Sequence, residues 1–117
     1  MAEDLKIDSV RSTSSGTIGR SLNSARTNHF VLDSPSGPGE AVTNGEAFLA
    51  GISSCGVTLI EGYAKQNAIP LVRMEARIDG IRNLAKPNEF QAIDIHFELQ
   101  GVDEKQAGHL VATWQDR

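Results

Sequence analysis

Strands, a long helix, two more strands and a short helix follow one another along the sequence. That order predicts an α+β fold, an antiparallel sheet packed on a long central helix. Three observations carry it. Thr43-Asn44-Gly45-Glu46 spells a helix start, two runs around 72–79 and 93–99 alternate apolar with polar residues, and Ala107, Leu110, Val111 and Trp114 recur at helical spacing.

The first 35 residues are rich in Ser, Thr, Asn, Arg and Gly and read as short strands joined by turns. Leu5, Ile7 and Val10 alternate with polar neighbours, as in a half-buried strand. Gly16 and Gly19 interrupt the chain before a compact apolar run, Phe30-Val31-Leu32. Ser34-Pro35-Ser36-Gly37-Pro38-Gly39 can continue neither strand nor helix and is a loop. Thr43 and Glu46 then form a capping box for a helix from about Gly45 to Gln66, ended by Asn67 and Pro70. Phe48, Ile52, Cys55 and Leu59 form its expected buried stripe. Gly51, Gly56 and Gly62 each cost about 1 kcal/mol against alanine, so a close neighbour is expected along the backbone.

Val72, Met74, Ala76 and Ile78 oppose Arg73, Glu75, Arg77 and Asp79; Ile93, Ile95, Phe97 and Leu99 oppose Asp94, His96 and Glu98. Asn83, Lys86-Pro87 and Asn88 supply the turn between these strands, and Asp103 caps the last helix. Polar outer faces fit an antiparallel sheet covered on one side.

The chain has 117 residues, enough for one domain spanning 1–117. With 39% hydrophobic and 22% charged residues it reads as globular. No unbroken apolar run reaches the ~18 residues of a membrane span. A net charge of −4 argues against nucleic acid as partner. A single cysteine excludes an intrachain disulfide, and the whole reads as a soluble cytoplasmic domain. His29, His96 and His109 do not cluster, so no metal site is expected, and no nucleotide-binding or hydrolase motif is present. No cofactor is expected.

Cys55 is the one strong nucleophile candidate. A buried structural thiol is the commoner fate of a free cysteine, and reactivity would need a nearby cation. Arg20 and Arg26, in the polar N-terminal segment, are the candidate cations, and solvated surface arginines are their ordinary alternative. Glu46 could orient such an arginine or simply complete the capping box. Nine residues separate it from Cys55, which puts the two on opposite sides of a straight helix.

The stretch His29-Phe30-Val31-Leu32-Asp33-Ser34-Pro35, with Gly37 and Gly39, followed by the run from Gly45-Glu46 to Cys55, resembles the OsmC/Ohr family of osmotically inducible and organic-hydroperoxide-resistance proteins. The resemblance continues through Ala64, Asn67-Ala68-Ile69-Pro70, the two strands and the last helix. It implies an OsmC-like fold built as an intertwined homodimer around paired central helices, which also fits the glycines. It further implies a thiol peroxidase that reduces organic hydroperoxides or hydrogen peroxide with an external thiol. The peroxidatic cysteine matches Cys55, the arginine Arg26 or Arg20 with Arg26 preferred, and the glutamate Glu46. The hydroperoxide-resistance branch has its glutamate one residue farther from the cysteine, where this chain has Gly45. The second, resolving cysteine of the family has no counterpart here, so sulfenic acid formed on Cys55 is expected to await an added thiol. A non-catalytic dimeric binding or structural module of the same fold is the alternative.

Overall fold

A computed structural model of the chain describes residues 4–115; Asp116 and Arg117, at the end of the sequence, lie outside the described residues. Two compact units meet between Ala47 and Phe48.

The first unit is a three-stranded antiparallel sheet in the order β1 (Arg11–Ser14), β2 (Arg20–Ala25), β3 (Asn28–Asp33). A two-residue turn, Arg26-Thr27, fixes the β2–β3 register from Ala25 opposite Asn28 to Arg20 opposite Asp33. Arg26 opens that turn at φ 56°, a left-handed conformation that an L side chain adopts at a cost. The expected strand over Leu5, Ile7 and Val10 does not form, and these side chains are exposed. The register explains why. Arg11 pairs with Ser24, so only Val10 could still face Ala25, the last residue of β2, and everything before it runs past the end of that strand. The apolar run on β3 is also more open than its composition suggests, with Phe30 and Val31 both exposed.

The Pro/Gly segment is a loop, as its residues demand. It folds back on β3: Asp33 N–H donates to Val42 O at 3.0 Å and Ser34 N–H to Gly19 O at 2.7 Å. Gly19, at φ 84°, lies so close to Gly37 that a Cβ on either would strike backbone.

The long helix α1 (Asn44–Gln66) starts with the expected reciprocal box. Glu46 N–H donates to Thr43 Oγ1 at 3.1 Å, and Thr43 N–H donates to Glu46 Oε1 at 2.9 Å. The helix ends in a Schellman motif, with Ile69 N–H on Ala64 O at 2.9 Å and Ala68 N–H on Lys65 O at 3.4 Å. Ala68 takes the left-handed position at φ 54°, where glycine is usual.

In the second unit β4 (Arg73–Ile81) pairs with β5 (Ala92–Gln100) in antiparallel register, Met74 opposite Leu99 and Ala76 opposite Phe97. The last helix, α2 (Glu104–Gln115), carries its own box: Gln106 N–H donates to Asp103 Oδ1 and Asp103 N–H to Gln106 Oε1. Ile60, Ala64, Met74 and Leu110 form the buried core, with Phe97, Leu99, Val111 and Trp114 packed around it.

This core corrects the expected face of α1. Gly56, Ile60 and Ala64 point into the core, whereas Phe48, Cys55 and Leu59 are exposed and Ile52 is half-buried. The buried face lies about a third of a turn from the predicted stripe. The helix is apolar almost all the way round, so periodicity alone cannot choose its inward side. Trp114 chooses it by laying its indole over Gly56, where a Cβ would stand 3.1 Å from the ring. Beside Gly51 and Gly62 there is open space. By length and apolar composition α1 would suffice to cross a membrane, although no unbroken apolar run of that length occurs in it.

Candidate functional site

The four residues singled out from the sequence fall on different elements. Arg20 begins β2, Arg26 opens the β2–β3 turn, Glu46 sits in the first turn of α1 and Cys55 near its middle. The first three belong to the first unit and Cys55 to the second.

Cys55 is exposed, not the buried structural thiol that its apolar neighbours suggest. It shares its helix face with Phe48, seven residues earlier, which stacks on Phe90 at 5.9 Å between ring centroids. Phe90, from the β4–β5 connection, in turn receives the Arg82 guanidinium at 4.2 Å over its ring, an arrangement favoured by the ring quadrupole. Arg82 also donates from Nη1 to Pro87 O at 2.7 Å. Sequence reasoning missed Arg82 and Phe90. The available signal was a lone aromatic in an otherwise polar connection.

Arg20 is held by carboxylates. Its Nε and Nη2 donate to Asp33 Oδ1 and Oδ2 at 2.7 and 2.9 Å, a bidentate pair, and Nη2 also reaches Glu40 Oε1 at 3.3 Å. Asp33 is fully buried, yet its Oδ2 also accepts from the backbone N–H groups of Glu40 and Ala41, each at 2.9 Å. The Arg20 hydrogen bonds hold the Asp33 carboxyl well below the usual carboxylate range; burial opposes this and the two amides assist it. The Arg20 guanidinium is raised above its already high ordinary value, chiefly by the Asp33 hydrogen bond, and stays charged. The signal for this pair was the hairpin register, but Arg26-Thr27 lacks the Asn-Gly or Asp-Gly signature that would have revealed the turn.

Glu46 is engaged with Thr43 N–H, so the capping role is realised. Arg20 has Asp33 and Glu40 as its carboxylate partners, not Glu46. Arg26 shares a groove with Ser9, Val10, Arg11, Ser24 and His29. Among the described residues, no three His, Cys, Asp or Glu side chains gather as a metal site.

This arrangement of sheet, long helix, strand pair and short helix is the OsmC fold. An OsmC-like protein from Mycoplasma pneumoniae matches it at TM-score 0.81, with 14% identity over 96% of this chain and 82% of that one. A Legionella pneumophila structure described as an organic hydroperoxide resistance protein OsmC matches at TM-score 0.71, with 19% identity over 97% and 85% of the two chains. The organic hydroperoxide resistance protein OhrB of Bacillus subtilis matches at 0.67, with 15% identity over 97% and 86%. No protein-family model matches the chain, and no curated protein matches it in sequence. The OsmC/Ohr resemblance read from the motifs is thus borne out in the fold.

Proposed function

We propose that the chain is a thiol-dependent peroxidase that acts as a homodimer in the cytoplasm. It would reduce organic hydroperoxides or hydrogen peroxide through Cys55, with an external thiol as reductant. One observation carries the reading: the only thiol of an OsmC fold stands exposed on the central helix, not packed in the core.

The Cys55 thiolate attacks a peroxide oxygen. The S–O bond forms as the O–O bond breaks, and the alkoxide takes a proton to leave as alcohol. Sulfur is oxidised to sulfenic acid and the peroxide is reduced by the same two electrons. One external thiol then condenses with the sulfenic acid, releasing water and leaving a mixed disulfide. A second displaces Cys55 as free thiol and leaves as the external disulfide. The resemblance offers Arg26 or Arg20 as the cation that favours the thiolate, and of these Arg20 is already held by carboxylates. Asp33 and Glu40 occupy its Nε and Nη2, while Nη1 has no hydrogen-bond partner among the described residues. In this reading a second copy packs against the exposed Phe48 and Leu59, with Gly51 and Gly62 giving room for its backbone, and leaves the Cys55 sulfur open to peroxide.

Intact-mass measurement after one equivalent of cumene hydroperoxide should show a single added oxygen, absent in Cys55→Ser, and dithiothreitol should restore the original mass. A covalent dimer would instead mean Cys55–Cys55 pairing across the two copies. An unchanged mass would sink the peroxidase reading. The use of Glu46 as a cap, and of Asp33 and Glu40 as the partners of Arg20, favours one second reading, a non-catalytic dimeric binding or structural module. Slow reaction of Cys55 with iodoacetamide at neutral pH belongs to that one.

A further inference from the structure

Antiparallel register places Arg11, Ser24 and His29 directly opposite one another on β1, β2 and β3. Directly paired residues share a face of the sheet, so the three side chains form one row across it. Arg26 follows Ser24 by two residues, in the turn that joins β2 to β3. With Ser9 and Val10 these four line a groove of about 530 Å³, within the size range of small-ligand sites.

The groove carries charge without internal neutralisation. Among the described residues, neither Arg11 nor Arg26 has a carboxylate partner, and Asp8, close by in sequence, pairs with Lys6 at 3.9 Å. Two guanidinium groups thus stand together in a chain of net charge −4. His29 Nδ1 lies 2.8 Å from Ser24 Oγ. When the serine hydroxyl donates to Nδ1, the ring proton sits on Nε2 and is a further donor. Arg26 is moreover held at φ 56°, where glycine would be the cheaper residue.

From these features we infer that the groove is a binding site for a small phosphate-bearing anion. Two planar guanidinium forks match phosphate oxygens in pairs, His29 Nε2–H offers a neutral donor once Ser24 holds Nδ1, and Val10 gives an apolar wall for the organic part of an ester. The site uses no thiol chemistry, so it stands or falls separately from the peroxidase reading.

The test is a titration of the full chain with phenyl phosphate and with inorganic phosphate, read by amide chemical shifts at fixed ionic strength in chloride. Saturable shifts should be confined to Arg11, Ser24, Arg26 and His29 and their neighbours, and tighter binding of the ester would place its organic part against Val10. Arg11→Gln and Arg26→Gly should each weaken binding about tenfold, and the second relieves the turn, so misfolding is not the expected cause. Cys55→Ser should bind like the parent. Shifts scattered over the surface, shifts reproduced by added chloride, or binding in both arginine variants as tight as in the parent would overturn the proposal.

Discussion

The two units reach order by opposite means. In the second, Ile60 and Leu110 are wholly removed from solvent and the surrounding side chains are apolar. In the first, the buried residues are Asp33 and Asn23, and the apolar side chains Leu22, Phe30 and Val31 remain exposed. Asn23 there accepts from Ser12 Oγ at 2.6 Å and donates to Ser21 Oγ at 3.1 Å. An apolar core gains by area and tolerates imprecise geometry. A polar one is worth its burial only when every acceptor is met, and in this sheet every buried side-chain oxygen and nitrogen has a partner.

That contrast can be broken from either side. The largest expected effect is in the apolar unit: Ile60→Ala or Leu110→Ala should each cost about 2–5 kcal/mol in urea unfolding. Loss of far less would mean that these sites collapse around the missing atoms.

The first unit should fail differently. Asp33→Asn keeps the volume but gives up the bidentate pair with Arg20 and places an amide N–H₂ among the donors that now meet Asp33. Its melting temperature should fall clearly at pH 7. Because the folded carboxyl is depressed, the advantage of the parent is complete above the unfolded value of ~3.9 and fades as pH falls through the lower folded value. A difference that stayed constant from pH 7 down to pH 2 would show that charge is not what Asp33 contributes.

The smallest effect has the opposite sign. Ala68→Gly removes a side chain from a left-handed position and should stabilise the chain by about 0.5–1 kcal/mol, net of the added freedom of the unfolded glycine. Pairing of copies sharpens the picture again. Light scattering at micromolar concentration should give about twice 12.6 kDa if the open face of α1 is covered by a second copy. A clean monomer would remove the support that the glycines lend to that reading.

Much of the second unit and the start of α1 were legible because alternation and capping are local. Thr43-Glu46, the turn around Lys86-Pro87 and the Ala107–Trp114 stripe each declare themselves within a few residues, and all are found. The inward side of α1 was not, since a helix apolar on several sides gives no single periodic answer. Cys55 was identified as the nucleophile candidate, but its exposure depends on where Trp114 lands, and that is a tertiary matter. The Arg20–Asp33 pair was hidden for another reason. It depends on a register set by Arg26-Thr27, a turn with none of the residues that usually mark one.

The indole resting on Gly56 has an optical consequence. Trp114 is the chain's one tryptophan, and the residue it covers follows Cys55 directly in the helix. Its emission therefore reports on a single packing contact beside the sulfur. Chemistry on Cys55 that leaves α1 in place should leave the spectrum unchanged, whereas an adduct that tilts or frays the helix lifts the backbone from the ring and lets water reach it. The protein thus carries its own fluorescent gauge of how much its central helix moves when its only thiol reacts.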